Sequence, residues 1–148
     1  MTVISIATRP VSQFAIVVSR YHDSITSKLL DGARKALLSA GVADSEIIVS
    51  WVPGAWEIPL AVKRLIANED IAAIITLGCV IRGETTHDQH INNAVSSALM
   101  SLSLEHGKPV AFGVLTVNSL EQAIHRSGGN VGNKGIEAAT AALAMVDS

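Results

Sequence analysis

The stretch AAIITLGCVIRGETTHDQH, residues 72–90, decides how this chain reads. Its first ten residues are apolar apart from one threonine and two small residues. They are far short of the ~20 residues a membrane span needs. They also lack the polar alternation of a strand with one wet face. Such a run predicts a strand buried on both faces, the habit of parallel sheets. The character then changes at once. Residues 83–90, GETTHDQH, hold a glycine, two hydroxyls, two acids, an amide and two histidines. A buried strand thus delivers donors, acceptors and titratable groups to one point.

The same alternation recurs outward in both directions. FAIVV (14–18) and IIVSWV (47–52) predict strands before the central run, and PVAFGVLT (109–116) one after it. Helical spacing fills the gaps. Ile25, Leu29, Leu30, Ala33, Leu37 and Ala40 mark a first helix, with Asp23 or Ser24 as its cap and Gly41 as its stop. Residues 56–67 predict a helix that tolerates Pro59 in its first turn. Ile91, Val95, Ala98, Leu99 and Leu102 mark one from about 88 to 105, ended by Gly107. Residues 119–126 predict a short helix, SGGNVGNKG (127–135) a loop, and 136–146 an Ala-rich last helix. Strand and helix alternate throughout, which predicts a parallel sheet between two helix layers: an α/β, three-layer αβα sandwich. No repeat or linker divides the chain, so residues 1–148 are expected to form a single domain. TVISIA, set off by Arg9-Pro10, reads as an N-terminal arm (1–10): a frayed tail, or an extra strand added to a neighbour's sheet.

Composition narrows the function. Apolar residues make up 49% and charged residues 16%, with a net charge of -2 and no basic stripe, which argues against a nucleic-acid partner. No run is long enough for a membrane span, and the N-terminus lacks a signal-peptide pattern. The single cysteine, Cys79, lies inside the apolar run, where it reads as a small buried filler; a chain with no disulfide suits a reducing cytoplasm. A positive mean hydropathy without a span suggests a surface partly covered by other subunits.

In an open parallel sheet, ligands bind beyond the carboxyl ends of the strands. SRYHD (19–23) follows the first strand, PGAWE (53–57) the second and the GETTH turn the third. Tyr21 and Trp56, two of only five aromatics, both fall at these ends, where they suit stacking on a flat ring or plain helix packing. Glu57 suits an acceptor for a polyol or amide donor, or an acid at the positive end of a helix. Gly83, Thr85 and Thr86 open a helix and so offer N–H groups and hydroxyls to an anion, with Glu84 directed away. The turn lacks the lysine and length of a nucleotide-triphosphate loop. His87 and His90 lie three apart. A metal there would need a third ligand, His22 or Glu57, so a single histidine moving protons beside an anion site is the better reading. His106 and His125 read as helix-end residues. Arg126 and Lys134 flank the glycine-rich 127–135 segment and suit a phosphorylated substrate.

Five motifs in order carry a resemblance: SRYHD (19–23), VPGAWEIP (52–59), GCVIRGETTH (78–87), PVAFGVLT (109–116) and EQAIHRSGGNVGNKG (121–135). From Phe14 to Met145 the chain resembles the lumazine synthases of riboflavin biosynthesis. The resemblance implies a flavodoxin-like four-stranded sheet with an extra N-terminal strand. It implies condensation of a ribitylamino-pyrimidinedione with 3,4-dihydroxy-2-butanone 4-phosphate, with no cofactor and no metal. Tyr21 matches the position that stacks on the pyrimidine. Ala55, Trp56 and Glu57 match the segment holding the ribityl chain, and Val80 and Ile81 the backbone contacts to the ring. Gly83, Glu84, Thr85 and Thr86 match the phosphate turn, Arg126 its cation, and His87 the proton-transfer group. Phe112 and Lys134 match residues reaching in from an adjacent subunit or lining the edge, and Glu137 one that orients His87. Asp88-Gln89-His90 depart from the family, which carries aromatics there, and His22 stands where asparagine is frequent. Pentamers are implied, and the compact 127–135 segment is similar to that of members that build sixty-subunit shells. Riboflavin synthase is an implied partner. The rival readings are a non-catalytic lumazine or flavin carrier, a shell protein of the same fold, and a flavodoxin-like electron carrier.

Overall fold

A computed structural model describes residues 12–129 and 131–147. The N-terminal arm lies outside the described residues. The central run forms β3 (Ile71–Ile81), longer at both ends than the 72–79 expected. It is flanked by β1 (Gln13–Ser19) and β4 (Val110–Val117), with β2 (Ile47–Val52) on the outer side of β1. The order is β2-β1-β3-β4 and every pairing is parallel. Among the described residues five α-helices connect or follow these strands: α1 (Asp23–Ser39), α2 (Ile58–Ile66), α3 (His87–His106), the short α4 (Leu120–His125) and α5 (Lys134–Val146).

Strand periodicity sorts side chains into two cores. Phe14, Ile16 and Val18, with Ala73, Ile75, Leu77 and Cys79, pack against α1 and α5. Ala15, Val17, Ile74 and Val80 face α2 and α3, meeting Ile58, Val62, Ile66, Val95, Leu99 and Leu102. Successive residues point to opposite faces of a strand, so one continuous apolar run supplies both layers. This is the expected αβα sandwich. The one polar side chain fully inside β3, Thr76, donates its hydroxyl to the Ala111 carbonyl at 2.8 Å, which removes the cost of burying it.

Three local readings are corrected. Neither Asp23 nor Ser24 caps α1: His22 does, in a left-handed conformation (φ 61°, ψ 50°), and its carbonyl accepts from Ile25 and Thr26 N–H. Residues 55–57 form a tighter 3-10 turn before α2 starts at Ile58. The segment expected as a loop is a hairpin of β5 (Ser127–Gly129) and β6 (Gly132–Asn133), and α5 starts two residues earlier than expected, at Lys134. Asn133 explains the early start. Its Oδ1 accepts from Gly135 and Ile136 N–H at 2.8 and 3.1 Å, and its Nδ2 donates to the Lys28 carbonyl of α1 at 3.0 Å. Gly135 permits that approach, since a Cβ there would strike the Leu29 backbone.

Candidate active site

The chain goes from β1 outward to β2, then back across to β3 on the other side of β1. Crossovers that diverge in this way open a crevice at the carboxyl ends of the two central strands. A cleft of about 620 Å³ occupies that position. Tyr21 and His22 enter it from the end of β1, and Gly54, Ala55 and Trp56 from the end of β2. Cys79, Val80 and Ile81 come from β3, Gly83 and Thr85 from the turn, and His87, Asp88 and Ile91 from α3.

Backbone pairing continues past the strands to hold these ends in place. Arg20 N–H donates to Val52 O at 2.8 Å and Tyr21 N–H to Pro53 O at 3.1 Å, so the end of β1 is locked to the end of β2. The Arg20 guanidinium lies 5.2 Å from the Trp51 ring centroid, a cation–π contact on the same edge. Tyr21 is 67% and Trp56 60% exposed, so both rings keep faces unspent on the core. The His22 ring meets Tyr21 edge-on, with centroids 4.5 Å apart.

The 83–87 turn is held from both ends. Arg82 N–H makes the last bond to β4, to Val117 O at 2.8 Å. Thr85 Oγ1 accepts from His87 N–H at 3.3 Å, and Thr86 Oγ1 lies 3.3 Å from His90 Nε2. The Thr86 side chain does not cap α3, so the helix opens on N–H groups suited to an anion. Cys79 is buried, and desolvation pushes its thiol up to about 11. It is protonated at neutral pH and unsuited to be a nucleophile.

Tyr21, Ala55, Trp56, Val80, Ile81, Gly83, Thr85 and His87 are therefore brought together as expected from the sequence. Glu57, Glu84 and Thr86 are not in the lining; they are its neighbours in sequence, and the Glu57 carboxylate lies close to Gly54, which is in it. Phe112, Arg126, Lys134 and Glu137 converge elsewhere, on a second cleft of about 440 Å³ between β4, the β5–β6 hairpin and α5. Arg126 and Lys134 are tied there, Lys134 N–H donating to Arg126 O at 2.9 Å. Within one chain, Glu137 does not line the cleft that holds His87, nor does Arg126.

A model of the 6,7-dimethyl-8-ribityllumazine synthase family matches residues 12–148. The chain belongs to that family. It is 50% identical over 137 residues to the 6,7-dimethyl-8-ribityllumazine synthase of Rhodopirellula baltica, an alignment covering 93% of this chain and 88% of that protein. The family's match spans every element that contributes to either cleft, so membership and geometry concern the same residues. Asp88 and Arg82 were not among the site residues expected from the sequence. Asp88 read as a helix-opening residue where family aromatics are absent, and its burial in the cleft has no local sequence signal. Arg82 reaches it, with Nε 3.9 Å from Asp88 Oδ2, and donates from Nη1 to Asn118 Oδ1 at 3.2 Å.

Proposed function

We propose that the chain condenses 5-amino-6-(ribitylamino)uracil with 3,4-dihydroxy-2-butanone 4-phosphate to 6,7-dimethyl-8-ribityllumazine, releasing phosphate and water, in riboflavin biosynthesis. The family match over residues 12–148 carries this reading. The arrangement of the cleft supports it. The pyrimidine stacks on Tyr21 beside Trp56, with Val80 and Ile81 along its edge and the ribityl chain running towards Ala55 and Glu57. The phosphate sits on the turn from Gly83 to Thr86, with Glu84 contributing backbone only. His87, at the start of α3, moves protons during imine formation and ring closure. The rest of the rate comes from holding two small reactants in register, which needs few strong catalytic groups.

The separation of the two clefts supports an assembly. In this reading the cleft with Phe112, Arg126, Lys134 and Glu137 faces the first cleft of a neighbouring copy, so that Arg126 and Lys134 meet the phosphate and Glu137 meets His87. Pentamers with sites at their interfaces, sixty subunits arranged as a shell, a cytoplasmic location and riboflavin synthase as a partner complete the proposal. Exposed Phe112, Val131 and Ile136 on the side of the second cleft are what such an interface would cover. Incubation of the purified chain with both substrates, followed by lumazine absorbance, tests the reaction. Product is expected; a chain that binds ribityllumazine without forming it is a carrier instead.

A further inference from the structure

We propose that Asp88 is the acceptor that receives an N–H or O–H donor of the pyrimidine substrate, a role that rests on the reaction assigned above. Asp88 is the one carboxylate among the described residues lining the larger cleft, whereas Glu57 and Glu84 do not line it. Its side chain is only 8% accessible, so the group is almost fully withdrawn from bulk water yet borders the cleft. Its charged partner, Arg82, stands 3.9 Å away, beyond hydrogen-bond reach. Arg82 is itself 60% exposed and shared with Asn118, which weakens its hold on the carboxylate further.

A carboxylate accepts through two oxygens and is costly to bury without donors. The cleft lining holds apolar Val80, Ile81 and Ile91 and polar Tyr21, His22, Thr85 and His87, and none of these side chains is hydrogen-bonded to Asp88. The acceptor capacity of Asp88 therefore points to a ligand donor. Its place in the first turn of α3 fixes it on a rigid element, so little ordering remains to be done on binding. Phosphate is the wrong occupant, since like charges repel. The pyrimidine substrate has the right chemistry: an aromatic amine and a polyol chain, both rich in donors.

The test uses the full chain, Asp88→Asn and Asp88→Leu. The first keeps the shape and one carbonyl acceptor; the second keeps most of the volume and removes both acceptors. Dissociation constants are measured for ribitylaminouracil, ribityllumazine and inorganic phosphate, with thermal melts to follow folding. Binding of ribitylaminouracil should weaken about ten- to a hundredfold, more for Leu than for Asn, as expected for a lost charge-assisted hydrogen bond. Phosphate binding should stay the same or tighten. Weakening of ribityllumazine as well places the donor on the ribityl chain, and weakening of the aminouracil alone places it on the amine; either supports the role. Unchanged binding of ribitylaminouracil, or an equal loss for phosphate, overturns it and leaves Asp88 as a structural partner of Arg82. A parent chain that binds neither pyrimidine compound overturns the reaction reading and this role with it.

Discussion

Asn133 connects the fold to the second cleft, and its removal has a calculable cost. Truncation to Ala deletes the cap of α5, two bonds at 2.8 and 3.1 Å, and the bond to Lys28 O at 3.0 Å. A lost N-cap costs about 1 kcal/mol. The interhelical hydrogen bond adds up to about 1 kcal/mol, with the Lys28 carbonyl rehydrating. Asn133→Ala should therefore lose about 2 kcal/mol, and Asn133→Ser, which caps but falls short of Lys28, about half of that. With a urea slope of about 2 kcal/mol/M, the Ala midpoint falls by about 1 M, read at fixed protein concentration because assembly adds its own stabilisation. A cross-check comes from Gly32, where an added Cβ would run into the Asn133 amide. Gly32→Ala should be costly alone and neutral or stabilising on the Asn133→Ala background. If Asn133→Ala stays within about 0.3 kcal/mol of the parent, or the Gly32 effects simply add, the pinning of the hairpin and α5 to α1 is wrong.

Other expectations concern the site. His87→Ala should lower kcat by about 100-fold or more with little change in pyrimidine affinity, in steady-state and binding assays; an unchanged kcat removes it from proton transfer. Arg126→Ala should chiefly raise KM for the butanone phosphate, and an unaltered KM would refute its phosphate role. The Cys79 thiol, raised from 9.0 to about 11 by burial, holds its proton more tightly in the native chain than unfolded. Its contribution is whole below about pH 9 and is lost as pH rises through 11, up to about 2–3 kcal/mol. Cys79→Ala should flatten that alkaline decline in urea midpoints; an identical slope would show the thiol is not responsible.

The fold was legible wherever one physical rule dominated. The uninterrupted apolar run of β3 marks a strand buried on both faces, and Gly107, observed at φ 63°, ends α3 as read. Legibility failed where a long-range partner decides. The 127–135 segment is rich in glycine and reads as a loop until Asn133 reaches Lys28 in α1, 105 residues away. The left-handed His22 at the start of α1 carries only a weak signal, since few non-glycine residues hold φ 61°, although histidine and asparagine do so more readily than most. In the site, spacing placed Tyr21, Trp56 and His87 together because strand ends converge in any parallel sheet. It could not show that Phe112, Arg126, Lys134 and Glu137 gather on a different cleft. Nor could it show Asp88 turned inward, because charge at the first turn of a helix ordinarily faces water.

If the two clefts are halves of one active site, variants damaged in different halves should complement each other. Co-refolding His87→Ala with Arg126→Ala in equal amounts tests this directly. In a mixed assembly, an interface combining an intact first cleft with an intact second cleft arises by chance about one time in four. At butanone phosphate well below the raised KM of Arg126→Ala, the mixture should then form lumazine at about a quarter of the parent rate, well above either variant alone. A mixture no more active than its two components, though shown to co-assemble, would contradict a site shared between copies.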